Sequence, residues 1–202
     1  MDTILSEPRP PEPAADHPVD HRVNLAFRSI FGSKSNNGRT YRVLFRLINQ
    51  KNSLLQRLAS LPHAGLIASD GGLISNLTAQ ENILLPVQYF SISNDEAALQ
   101  NTIAILSRFG LSQSNVFRIM QSLPANLSLF ERRLVSFARM MVIEPEILVC
   151  DTIFEGLTDS EIAVVSRFNE LFHLYFPFRT VIYLELDHTR GIIHADDTFY
   201  LQ

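Results

Sequence analysis

No stretch of the chain offers the ~20 consecutive apolar residues that a bilayer-spanning helix needs. Membrane contact is therefore expected only through a partner, without direct insertion. The first residues have no basic segment leading into an apolar core, so no secretory leader is expected. Cysteine is reduced to one residue, Cys150, which excludes an intrachain disulfide and fits a reducing compartment. Its position in the apolar run Ile147–Cys150 predicts a buried, inert thiol. Positive charge is not in excess: 17 Lys and Arg stand against 21 Asp and Glu, a net charge of −4. Phosphate-backbone recognition needs a basic face, so nucleic acid is not an expected partner. These absences point to a cytoplasmic protein. Apolar side chains are plentiful, at 46% of 202 residues, enough for the interior of a single domain.

Residues 1–20 hold Pro8, Pro10, Pro11, Pro13 and Pro18 among acids and alanines, which predicts a disordered tail. Residues 21–202 are expected to form one domain. Val23, Leu25 and Phe27 alternate with other residues and suggest a strand. A polar loop follows, then a helix over Thr40–Ala59 that Pro62 ends. Leu66–Ala68 reads as a short buried strand closed by Asp70-Gly71-Gly72. The middle third is helical. Thr78 and Glu81 form a capping box, Asn94 caps a helix that Gly110 stops, and Val116–Met120 is a shorter helix. Ser128 and Glu131 open a further helix, strand Ile147–Cys150 follows, and Thr158 with Glu161 caps a helix reaching Tyr175. Thr180–Leu186 and Thr198–Leu201 are the last strands. Short apolar strands alternating with helices predict an α/β fold with a mainly parallel sheet.

Particular residues carry a family likeness. The run Leu127-Ser128-Leu129-Phe130-Glu131-Arg132-Arg133 precedes an apolar strand ending in Asp151. Gly71–Thr78 and Glu81–Pro86 lie upstream, Phe154–Thr158 follows Asp151, and Thr180–Asp187 comes later. From about Gly65 onward this ordered set resembles the ATP-binding subunit of an ABC transporter, especially the phospholipid-importer type. The resemblance implies a truncated P-loop NTPase core plus a helical subdomain over about residues 73–140. It places Ser128 in the signature loop, Asp151 at the Walker B acid, Ser69 at the Q-loop, Thr152 at the general base and Leu186 at the H-loop histidine. It also implies that Asp70, Gly71, Gly72, Leu73, Tyr89 and Phe90 meet an integral-membrane permease.

Chemically important positions depart from that family's pattern. Leu129 and Phe130 replace two signature glycines whose amides approach phosphate. The hydroxyl of Thr152 cannot take a proton from water at neutral pH. Glu155 falls at a D-loop position and is not expected to substitute as base. His188, two residues past Leu186, is expected in a loop. Asp187, His194, Asp196 and Asp197 are not expected to hold a metal. The best candidate for a phosphate loop is Ser33–Thr40, between the expected strand and helix. It keeps Gly38 and the hydroxyl of Thr40, has Arg39 for lysine, and lacks glycine at Ser33. Any nucleotide is expected on Gly38, Arg39, Thr40, Ser69, Ser128 and Asp151, with Thr40 and Asp151 on Mg²⁺. The segment Val23–Ala68 is too short for the family's antiparallel β-subdomain.

The functional expectation is a binding or regulatory subunit of a membrane transport complex. It partners a permease or an active ATPase at the inner face of the membrane, has weak or absent ATPase activity and needs no cofactor. A live, divergent transporter ATPase using Mg-ATP remains the alternative.

Overall fold

The structure, a computed structural model, describes residues 18–32, 38–90, 94–187 and 193–201. Five strands build its sheet: β1 (Thr40–Phe45), β2 (Ala64–Ile67), β3 (Ile147–Asp151), β4 (Thr180–Leu186) and β5 (Asp197–Leu201). They lie in the order β2-β3-β4-β1-β5 with every neighbouring pair parallel. Strands of this kind are covered on both faces and read as near-continuous apolar runs. The segment Val181–Leu184 is buried throughout.

Two layers of helix cover the sheet. Helices α1 (Pro18–Phe31) and α2 (Ile48–Ala59) pack on one face. There Val23, Ala26, Ile30, Leu54 and Leu58 meet Val43, Phe45, Val149, Ile182 and Leu184. Between β2 and β3 run α3 (Ala79–Phe90), α4 (Asp95–Arg108), α5 (Gln113–Gln121) and α6 (Leu129–Ile143); between β3 and β4 run α7 (Asp159–Val165) and α8 (Phe168–Tyr175). Their apolar sides share a core with Leu148, Cys150, Val181 and Tyr183 on the opposite face. At its centre the rings of Phe137 and Phe168 stack with centroids 4.1 Å apart.

Capping chemistry sets several helix starts. Asn94 accepts from the Ala97 N–H at 2.7 Å, and Ser128 and Thr158 each form a reciprocal box with the glutamate three residues on. Gly110 takes φ +84° where α4 ends. Cys150 is fully buried, which pushes its thiol well above the usual range.

Several expectations are corrected. Residues 1–17 lie outside the described residues, but Pro18 opens α1, so 18–20 belong to a helix rather than a tail. Val23 to Phe27 is helical too: Val23, Ala26 and Ile30 are buried at helical spacing, and Leu25 is 51% exposed. Three alternating residues matched a strand by chance, while the helical period persists over the whole segment. The helix expected over Thr40–Ala59 is a strand followed by a helix. Tyr41, Val43 and Phe45 are buried in β1, with β-branched and aromatic side chains suited to a pleated surface. The helix expected from Thr158 to Tyr175 is split after Val165 into α7 and α8.

Candidate functional site

In open α/β sheets ligands gather beyond the carboxyl ends of the strands. At that end β1 stops at Phe45, β3 at Asp151 and β4 at Leu186; Phe45 pairs in register with Leu186, and Asp151 with Leu184. Two residues, Arg46 and Leu47, lead from β1 into α2. Three residues inside α2, Lys51 turns back toward β3, and its Nζ lies 2.7 Å from Asp151 Oδ1. The two side chains are 8% and 7% exposed. The Thr152 hydroxyl donates to the same carboxylate oxygen at 3.2 Å. Thr152 itself sits at φ +47°, its N–H held by the Leu184 carbonyl at 2.7 Å.

Strand, short loop, helix and lysine make this the topological place of a phosphate loop. Sequence reading missed Lys51 because the motif's other landmarks are absent around it. Phe45 and Gln50 stand six and one residues before the lysine, where a phosphate loop has glycine. Asn52 stands after it, where the hydroxyl belongs. The available signal was Lys51-Asn52-Ser53-Leu54-Leu55 following an apolar strand. Ordinarily such a loop presents a row of free amides to phosphate. Here α2 begins at Ile48, and Gln50 is 3% exposed.

The segment expected to hold phosphate lies elsewhere. Residues 33–37 are outside the described residues, and Gly38, Arg39 and Thr40 sit at the amino end of β1, opposite Asp151. Gly38 adopts φ +79°, and a Cβ there would meet the Pro177 carbonyl oxygen at 2.4 Å. Arg39 pairs with Asp197 at 3.4 Å. The Thr40 hydroxyl donates to Asn169 Oδ1 at 2.7 Å and lies 3.0 Å from His173 Nε2, while its N–H donates to Asp196 Oδ2 at 2.7 Å. Thr40 and Asp151 therefore cannot share one Mg²⁺. Thr40 opens a parallel strand and not a helix, so Gly38, Arg39 and Thr40 stand at the amino end of β1, away from Asp151 at the carboxyl end of β3.

The other expected residues are placed as follows. The carbonyl of Ser69 accepts two bonds from the Arg133 guanidinium, at 2.9 and 2.5 Å, and the carbonyl of Glu155 accepts a third at 2.8 Å. Arg133 is 1% exposed. Burial pulls its guanidinium below the usual arginine range, countered chiefly by the charges of Glu185 and Glu155. Ser128 caps α6, and the Glu131 side chain takes the Ser128 N–H at 2.9 Å while also pairing with Arg118. Phe130 packs on the helical-side core, and Leu129 lies 3.2 Å from where a Cβ on Gly156 would stand. Leu186 is half-buried. His188 lies outside the described residues. Among the described residues no group of three or more His, Cys, Asp or Glu could hold a metal ion.

The expected partner surface divides in two. Asp70, Gly71, Gly72 and Leu73 form a turn against α6, with Asp70 Oδ1 taking the Gly72 N–H at 2.9 Å. Tyr89 and Phe90 close α3, are 80% and 66% exposed, and touch edge to face. Phe90 also borders a groove of about 550 Å³ between the ends of α3 and α6 and the edge of β2, with Met140, Ile143 and Pro145 among its lining. Gly65 lets β2 approach that wall: a Cβ there would lie 2.6 Å from Met140 Sδ and 2.8 Å from the Pro145 ring.

The chain is similar to ATP-binding subunits of bacterial transporters. It is 29% identical to the methionine import ATP-binding protein MetN of Photobacterium profundum over 153 residues, 74% of this chain and 40% of that protein. It is 30% identical to the lipoprotein-releasing system ATP-binding protein LolD of Psychrobacter arcticus over 106 residues, 52% of this chain and 45% of that protein. The chain thus spans less than half the length of these two relatives. No family model matches it. Among solved structures it is similar to cbiO1 of Clostridium perfringens, part of the ABC transporter complex cbiONQ, with TM-score 0.58, 15% identity and coverage of 75% of this chain and 68% of that one. It also resembles the ATP-binding cassette MJ0796, in a dimeric post-hydrolysis state with ADP and Pi, with TM-score 0.54, 15% identity and coverage of 76% and 77%. The fold is the α/β fold of the ABC ATPases. No helix among the described residues is long and apolar enough to cross a membrane.

Proposed function

We propose that this chain is a non-hydrolysing, ABC-ATPase-like subunit of a membrane transport complex that works by binding its partners. The observation that carries this reading is the Lys51–Asp151 ion pair. The cation meant for phosphate and the anion meant for Mg²⁺ neutralise each other at 2.7 Å, behind a loop without glycine. Thr152 at the base position and Leu186 at the H-loop position support it, because neither side chain can move a proton from water. The residues present do not fit Mg-ATP.

Binding is assigned to the groove between the ends of α3 and α6, where Phe90 offers an exposed aromatic anchor beside apolar walls. We assign its occupant to a segment of a permease at the inner face of the membrane. The phospholipid-importer likeness of residues 71–86 makes a lipid-handling permease the leading candidate. Retention of Lys51 favours one second reading: Mg-ATP breaks the ion pair, and the chain is a divergent, active ATPase.

Thermal unfolding with and without millimolar Mg-ATP separates the two. The binding reading predicts no saturable shift and no ATP turnover above that of Asp151→Asn. A ligand at 100 times its Kd stabilises by about 2.7 kcal/mol. A shift of that order that Asp151→Asn removes would overturn the proposal.

A further inference from the structure

Strand β5 ends the sheet, and among the described residues nothing pairs with its outer edge. The direction of its peptide groups follows from β1. The carbonyls of Arg39 and Phe45 accept from the Val181 and Asp187 N–H groups on the β4 side. Peptide groups alternate along a strand, so those of Arg42 and Leu44 face β5, in register with Thr198 and Tyr200. In a parallel ladder such residues bond the neighbours of their register partners, here Asp197, Phe199 and Leu201. The N–H and C=O groups of Thr198 and Tyr200 therefore point outward. Free edges are commonly blunted by lysine or proline. Thr198-Phe199-Tyr200-Leu201 has neither, and Tyr200 is 61% exposed.

The ground beside this edge is open as well. A groove of about 400 Å³ runs between α1 and β5, with Arg22, Leu25, Ser29, Phe199 and Leu201 in its lining. Arg22, Leu25 and Ser29 are exposed and follow one another at helical spacing on one stripe of α1. Arg22 makes no ion pair with a described residue. Asp197 shares a sheet face with Phe199 and Leu201 by strand alternation, and its pairing with Arg39 at 3.4 Å leaves it close to half exposed.

The edge is complementary to itself. Turned about a two-fold axis through Phe199, β5 meets a second β5 antiparallel. Thr198 then stands opposite Tyr200 of the other copy, and Asp197 opposite Leu201. The outward groups of Thr198 and Tyr200 close about four hydrogen bonds, and Phe199 falls in the non-hydrogen-bonded pair on the axis, where side chains come closest. Asp197 of each copy arrives beside the Arg22 that flanks Leu201 of the other. Helix α1 packs over β1 and β5, so the two copies of α1 stand two strand spacings apart, roughly 10 Å, the distance at which helices pack.

We propose that this chain pairs with a second copy of itself through β5, forming one continuous sheet with Arg22 matched to Asp197 across the two-fold axis. The α3–α6 groove takes no part in this contact, so it stands apart from the docking assigned above.

Sedimentation velocity of the full chain over a concentration series tests it, with hydrogen exchange read at the same concentrations. A monomer–dimer equilibrium is expected, and the Thr198 and Tyr200 amides should slow as the dimer forms. Thr198→Pro removes an outward N–H and leaves the bonds to β1 in place, so the variant should stay folded and become monomeric. Arg22→Asp and Asp197→Arg are each expected to weaken association about tenfold, and the two together to restore it. If Thr198→Pro fails to fold, the charge exchange decides alone. A chain that stays monomeric throughout the series overturns the proposal. So does a dimer that survives Thr198→Pro or ignores the exchanged charges. Protection of Thr198 and Tyr200 that is independent of concentration shows the edge covered within the chain, and overturns it too.

Discussion

Lys51 and Asp151 illustrate how a site can keep its charges and lose their use. Each is nearly buried, and each is the other's counter-ion. Removing one partner strands the other in a poorly solvated place. Lys51→Met is expected to cost about 3–5 kcal/mol in urea unfolding, and pairing it with Asp151→Leu should recover most of that loss, because apolar replacement of both charges is often neutral or better. A single-variant cost below about 1 kcal/mol would show the pair behaving as a surface salt bridge. His173 gives a pH handle at the opposite end of β1. Burial draws its imidazole below the usual histidine range, against the Phe176 main chain and Asp196, which raise it. A base with a depressed folded value takes up its proton more readily when unfolded. Its contribution is therefore complete above about pH 6.5 and is lost as pH falls from there through the folded value. His173→Asn should flatten the acid side of the stability profile over that window, read from urea midpoints.

At the scale of elements, caps and turns were legible and the first third was not. The boxes at Thr78, Ser128 and Thr158 are local events written in three or four residues, and each forms. Strands β3 and β4 were legible because short, mostly apolar runs containing β-branched residues stand between helices. The loss came at Val23–Phe27 and Thr40–Phe45, where short apolar patterns fit either period and only the sheet decides. Reading Thr40–Phe45 as helix also hid Lys51, which follows that strand by a short loop. Two element-level variants follow. Ser128→Ala removes the α6 cap and should cost about 1 kcal/mol. Gly65→Ala forces a methyl against Met140 and the Pro145 ring and should cost about 1–3 kcal/mol. Chemical denaturation at fixed pH reads both.

On the scale of the molecule, α1 changes what this fold can do. The resemblance calls for an antiparallel β-subdomain in this part of the chain; here the described residues form α1, which packs beside α2 on that sheet face. Val23, Ala26 and Ile30 meet β1 and α2, and the Arg57 guanidinium lies 4.6 Å from the Phe27 ring centroid. The opposite layer is fastened through Arg133, which reaches from α6 to the segments after β2 and β3. Arg133→Met should therefore destabilise the whole chain, by about 3 kcal/mol or more. Hydrogen exchange should then quicken around both Ser69 and Glu155. Loss of protection at only one of them would show that the two segments are held independently.

The Arg133 bonds have a corollary for reading sequences of this kind. All three end on peptide oxygens, which every amino acid possesses. Position 69 can therefore exchange its side chain without loosening the knot, and Ser69→Ala should leave it tied; Glu155→Ala keeps the carbonyl bond but removes one of the charges that offset the burial of Arg133. The arginine alone has no substitute. A tally of missing family letters at those two positions records drift in chemistry, and it is blind to the mechanical joint beneath them.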